Sequence, residues 1–308
     1  MEACWLAAAA IIPLYFNLSS VQMFEPDKVF VLRLLAVLAG AAFLLKRIDR
    51  RVSGPARPGD PEPAPSLLKS PLPFSVLILA TIYILSSALS IMPIQSWWGT
   101  YIRAQGTITF CCYVVLFLVV LTELRAAAQL RRLQYAIILT SVPVAAYTIL
   151  QFADFDPIPW QDMFHERSMG TMGNPIFLGG YLVMVIPLTF SRMVDAVQTA
   201  RSGGQTRPGL VLAACSGVAL MMQLLALLFT QSRGPILGLA LSVYVCVFLF
   251  LVLRRIPGKA RFTIPASAAG MGFALPFLAI LLARMASKQS APMTLICLGA
   301  VVVLAGAL

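Results

Sequence analysis

Ten long apolar stretches, separated by short connections that hold nearly all the charge, constrain this chain more than any other feature. They run over residues 4–20, 29–45, 74–93, 107–122, 133–152, 175–191, 209–229, 235–253, 263–283 and 292–308. A run of that kind folds as a helix in lipid, because a helix satisfies its own backbone hydrogen bonds and about 20 residues cross the hydrocarbon layer. Composition agrees: 59% of the 308 residues are hydrophobic, 11% are charged, and the mean hydropathy is +0.87. A soluble domain carries about a quarter of its residues as charges, so an ordinary soluble enzyme is excluded. Disorder is excluded too, because the chain is too apolar and too poor in charge. The expected fold is all-α: a polytopic transmembrane bundle of about ten helices, forming a single membrane domain over 1–308.

The placement of the charges predicts which side each connection faces. The chain carries 23 Lys and Arg and a net charge of +11. Sixteen of the basic residues fall in the connections after runs two, four, six and eight. The other seven are Lys28, Arg33, Arg103, Arg167, Arg233, Arg284 and Lys288. The positive-inside rule makes the richer set cytoplasmic, with the N-terminus inside and even-numbered helices starting at the outer face. Glu2 stands where a signal peptide would be basic, so run one reads as an uncleaved helix. Residues 46–73 hold seven prolines among charges and read as a flexible cytoplasmic linker. The six cysteines lie in or beside apolar runs without CxxC spacing and read as small hydrophobes. Leu308 interrupts an apolar run, which predicts a fragment or an early-terminated member of something longer.

Three outer segments collect the unusual polar residues. The first, from Gln95 to Thr109, places Trp97, Trp98 and Tyr101 beside Arg103. The second, 154–175, is read as a periplasmic loop and holds the chain's one histidine, His165, followed by Glu166 and Arg167. The third is Thr230-Gln231-Ser232-Arg233-Gly234-Pro235. Asn174-Pro175 reads as an N-cap followed by proline at the first helical position, and Gly234-Pro235 repeats the arrangement with Ser232 as a further cap. Helix starts carry free N–H groups and about half a positive charge, so with arginine they suit a phosphate. Arg167 and Arg233 oppose the charge bias and sit in small polar clusters, which marks them as functional. Arg103, Trp98, Tyr101, Asn174, Gln231 and Ser232 complete a substrate-binding set. Arg33, inside an apolar run, is expected to snorkel to lipid headgroups. His165 or Glu166 could take a proton from an acceptor hydroxyl. The acids around His165 (Asp154, Asp156, Asp162) match no metal-ligand spacing, so no metal is expected. No P-loop, dinucleotide fingerprint, nucleophile elbow or zinc motif occurs, so no cofactor and no nucleic-acid partner are expected.

ERSMGTMGNPIFLGGYL and LLFTQSRGPILGLAL, taken with FEPDK, WWGTYIRAQG and DPIPW, resemble the O-antigen ligase and polymerase superfamily of bacterial inner-membrane proteins. The likeness covers about residues 14–240. It implies a fold similar to other membrane-embedded glycosyltransferases that use lipid phosphates. It also implies a metal-independent transferase that moves a glycan from an undecaprenyl-pyrophosphate carrier to a hydroxyl acceptor (lipid, protein or polysaccharide) at the periplasmic face. Two family arginines match Arg167 and Arg233, with the implied role of holding the pyrophosphate.

This chain departs from that pattern in one respect. The family's ligases are expected to carry a large later periplasmic loop with an activating histidine, and many continue into a tetratricopeptide region. The chain has no histidine after His165. Either the catalytic loop is missing, as in a truncated member, or another residue acts as base. Two other functions stay open: a small-solute or inorganic-carbon transporter, and a catalytically incomplete lipid-binding membrane protein. A transporter wants polar groups and broken helices near the midplane, whereas here the polar residues gather at one face.

Overall fold

The computed structural model describes residues 1–20, 23–52, 70–156, 158, 167–201 and 206–254. The last two apolar runs, 263–283 and 292–308, lie outside them, as do His165 and Glu166. Nine α-helices are present among the described residues: α1 (Glu2–Leu14), α2 (Glu25–Val52), α3 (Pro71–Ala88), α4 (Pro93–Trp98), α5 (Thr107–Glu123), α6 (Ala127–Phe152), α7 (Pro175–Arg201), α8 (Thr206–Phe229) and α9 (Arg233–Arg254). Among the described residues five helical stretches are long and apolar enough to cross a membrane: Glu25–Asp49, Pro71–Ala88, Ala127–Phe152, Pro175–Arg201 and Arg207–Phe229. The chain is a helical membrane protein. It divides into two compact units, one from Met1 to Asn174 and one from Pro175 onward.

Helix ends follow local chemistry. Pro71, Pro93 and Pro175 each stand at the first helical position, where the missing N–H removes no intrahelical bond. The Gln129 side chain reaches back to accept from the backbone N–H groups of Arg125 and Ala126, both at 3.0 Å, and starts α6. Several boundaries differ from the sequence reading: α7 runs past residue 191 to Arg201, and α3 takes in Pro71–Pro73 of the expected linker. The first run stops being helical at Leu14, with Tyr15 already extended, so the first helix is short. In the other direction, α2 continues through the basic residues to Val52, so 46–52 belong to a helix and not to the linker.

In the first unit α1 packs on α2 and α6, and α5 packs on α2 and α3. The core joins Trp5 of α1, Ala39 of α2 and Val119 of α5. Small residues allow the close crossing: a Cβ added at Gly40 would lie 3.2 Å from Val115 Cγ1. Several buried hydroxyls are satisfied within their own helices, as where Thr122 donates to the Leu118 carbonyl at 2.7 Å and Thr148 to that of Val144 at 2.8 Å. Ion pairs tie one end of the unit, Lys46 to Glu123 and Arg132 to Glu2, the latter with Nε–Oε1 at 2.6 Å.

The second unit is a hairpin of α7 and α8 with α9 packed chiefly on α7. Its core comprises Leu178, Leu182, Val185, Leu220, Leu224, Leu227, Ile236 and Leu239. Glycine sets both close approaches. At one end Gly209 abuts Ala200, and at the other a Cβ on Gly179 would fall 2.6 Å from Pro235 Cγ.

Candidate functional site

The first-unit segments that the sequence reading placed outside meet at the end opposite the Lys46–Glu123 and Arg132–Glu2 pairs, around the first turns of α2. Lys28 and Arg33 make the attachments. Lys28 Nζ donates to the Thr171 carbonyl at 2.6 Å and contacts Met172 Sδ at 3.6 Å. This fastens the segment after Arg167, which folds as a single 3₁₀ turn at Gly170–Met172. The turn is secured three further ways. Thr171 Oγ1 donates to the Pro13 carbonyl at 2.7 Å, and the Gly170 N–H donates to Gln151 Oε1 at 2.8 Å. Gly173, at φ +71°, presses on the Phe24 ring where a Cβ would overlap it. Gln151 also donates to Asp156 Oδ2 at 3.0 Å, and Asp156 accepts from the Tyr147 hydroxyl at 2.9 Å and the Ile158 N–H at 3.0 Å. Asp156 is therefore a loop-organising acceptor.

Arg33 is where the structure corrects the sequence reading. It was expected to snorkel into headgroups. Instead, its guanidinium turns onto the protein: Nε donates to Thr109 Oγ1 at 3.0 Å, and Nη2 donates to Thr109 Oγ1 at 2.7 Å, to the Ala104 carbonyl at 2.8 Å and to the Trp98 carbonyl at 3.1 Å. Its carbon also stands 5.7 Å from the Trp98 ring centroid. The physical reason lies in the segment it grips. Residue 98 ends α4 and residue 104 has a left-handed φ of +50°, so both carbonyls lack helical partners. Only a forked, planar donor reaches all three acceptors. Backbone crowding tightens the same segment, since a Cβ on Gly106 would overlap the Trp97 carbonyl and the Gly99 amide. Thr107 Oγ1 donates to the Ser96 carbonyl at 3.2 Å and hydrogen-bonds Ser87.

The predicted site residues fall into three groups. Trp98, Tyr101 and Arg103 belong to the gripped segment; all three are exposed, with Arg103 Nε 3.9 Å from Glu25 Oε2. Arg167 is half-buried at the head of the 168–174 segment, whose residues Ser168, Met169 and Thr171 are buried, and Asn174 ends that segment. In the second unit Thr230 and Ser232 are buried, Gln231 is exposed at φ +49°, and Arg233 is exposed as the first residue of α9. The Ser232 carbonyl accepts from the Ile236 N–H at 3.3 Å, which makes Ser232 the residue that caps α9, one position ahead of the arginine. Because Gly179 and Pro235 touch, the starts of α7 and α9 lie side by side. Among the described residues no group of three His, Cys, Asp or Glu is arranged to hold a metal ion. Comparison with family models, with curated proteins and with solved structures returned no match to this chain.

Sequence reasoning missed Lys28, Arg33, Thr109 and Gln151 as organisers. A usable signal was present for the first two: two cations five residues apart at the start of one apolar run, both against the charge bias.

Proposed function

We propose that the chain transfers, or helps to transfer, a glycan from an undecaprenyl-pyrophosphate carrier to an acceptor hydroxyl at the outer face of a bacterial inner membrane, with Arg233 at the start of α9 holding the pyrophosphate; the resemblance implies the same role for Arg167. The observation that carries this reading is the pairing of two helix starts in the second unit, with an exposed arginine at the first position of α9. Helix N-termini and a guanidinium together favour an anion with several oxygens. Pyrophosphate is already a good leaving group, so preorganised positive charge on it is the main contribution such a site must make. His165, Glu166 or a residue beyond Arg254 would then accept the hydroxyl proton.

Transport is less well supported. Among the described helices, α6 and α7 run unbroken through Pro143 and Pro187, with no unwound segment of the kind that builds a midplane site.

The test is glycan transfer from a polyprenyl-pyrophosphate donor in vesicles, with donor binding measured alongside. Arg167→Ala and Arg233→Ala should each lose about 3 kcal/mol of transition-state stabilisation, as for a lost oxyanion donor. Lysine at either position should recover only part of it, because the bidentate fork is gone. If both alanine variants fold, bind donor and transfer like the parent, the pyrophosphate site is wrong and a lipid-binding scaffold becomes the better description.

A further inference from the structure

The segment between α3 and α5 is built inside out relative to a loop in water. Its large side chains point away from the protein: Leu89, Ile91, Ile94, Trp98, Tyr101 and Ile102 are all exposed, with Ile91 at 100% and Ile94 at 81%. Many of its backbone polar groups are bonded within the protein, while the side chains of Gln95, Thr100 and Arg103 are exposed. The Leu89, Ser96, Gly99 and Ala104 N–H groups donate to carbonyls four residues back at 2.7–3.0 Å. The Met92 N–H donates to Ser90 Oγ at 3.2 Å, and Ser96 Oγ to Ser90 Oγ at 2.7 Å. The carbonyls of Ser96, Trp98 and Ala104 are taken by Thr107 and Arg33. Irregular backbone in contact with hydrocarbon has to be satisfied from within, because lipid offers no hydrogen bonds. Water imposes no such demand and disfavours that apolar edge.

The outward edge is continuous with the exposed apolar side chains Ile78, Leu79, Ile82 and Leu85 of α3, a helix long enough to cross the membrane. Its composition also changes along the way, from Ile91 and Ile94 to Trp98 and Tyr101 and, past Ile102, to the exposed Arg103. That is the order in which side chains grade from acyl chain to headgroup.

We infer that residues 89–103 form an interfacial element seated in the outer part of a lipid bilayer, with Ile91 and Ile94 among the acyl chains and Trp98 and Tyr101 at the headgroup boundary. Arg33 holds it in that attitude from within the protein. The occupant of this surface is bulk membrane lipid, and the inference is independent of the transferase reading.

The experiment uses the full chain in phosphatidylcholine–phosphatidylglycerol vesicles carrying either shallow- or deep-brominated lipid. The Trp98 signal is the difference between the parent and Trp98→Phe, and a second probe is the added signal of Ile91→Trp. Both signals should be quenched at least about threefold more by brominated lipid than by aqueous iodide, Trp98 by the shallow bromine and position 91 more evenly by both. Dominant quenching by iodide would overturn the inference by showing a wet loop. So would quenching by neither agent, which would mean that another part of the protein or a second copy covers the surface. Ile91→Trp leaves Trp98 and the Arg33 contacts intact, so the result does not depend on how well Trp98→Phe folds.

Discussion

At the residue scale the chain depends on a few side chains with several partners each. Arg33 has three acceptors, one of them the carbonyl of a left-handed alanine. Charge-assisted hydrogen bonds contribute about 1.5–3 kcal/mol apiece before context, so Arg33→Lys, which keeps one donor direction, should cost about 2–3 kcal/mol. Thermal unfolding in detergent measures this, and a silent substitution would restore the snorkelling account. Ala104→Gly provides the contrast. Relief of the left-handed backbone and the extra freedom of glycine in the unfolded chain are each about 1 kcal/mol and opposite in sign, so that variant should unfold within about 0.5 kcal/mol of the parent.

At the element scale, helix pairs are fastened at their ends. Gly179 admits Pro235 and so sets α9 against α7. Gly179→Ala should force the helix starts apart and cost about 1–3 kcal/mol, as overpacking of a tight contact does. If Arg233 works at that helix start, donor affinity should fall with it. At the start of α1, ahead of its apolar run, the hydrogen bonds from Arg132 hold the Glu2 carboxyl below the ordinary carboxylate range. A carboxyl whose folded pKa is depressed stabilises above its unfolded pKa, and that contribution is lost as pH falls through the folded value. The gap in melting temperature between the parent and Glu2→Gln should therefore be widest near neutrality and close on acidification. A constant gap across the acid range would mean that the pair stabilises nothing through its charge. The pair is exposed, so the effect should be small.

At the scale of the whole molecule, the sixteen-to-seven division of basic residues predicts the orientation. In a variant without its native cysteines, a cysteine at position 162 should react with an impermeant reagent added outside, and one at position 60 should not; the reverse pattern would invert the protein. Eight of the ten apolar runs coincide with described helices because hydrophobic length is a one-dimensional property that lipid reads directly. Proline and asparagine placed the start of α7 for an equally local reason. Ends set by competition could not be placed that way: α1 stops early at Leu14, and α2 outlasts its apolar run because basic residues are good helix formers. The α3–α5 connection shows the same limit within the site. From sequence alone, Trp98, Tyr101, Arg103 and Arg33 are aromatic and basic residues near a membrane boundary, where the first three read as substrate-binding and Arg33 as a snorkelling cation. Residues 33, 98, 104 and 109 share one guanidinium only once α2 is packed on α5, and no local pattern encodes a contact between residues 76 positions apart. Hydrophobicity, acting residue by residue, determined that this chain enters a membrane as helices. Tertiary packing decided which of its cations serve the fold, because a half-buried donor finds its acceptors only where neighbouring elements supply them.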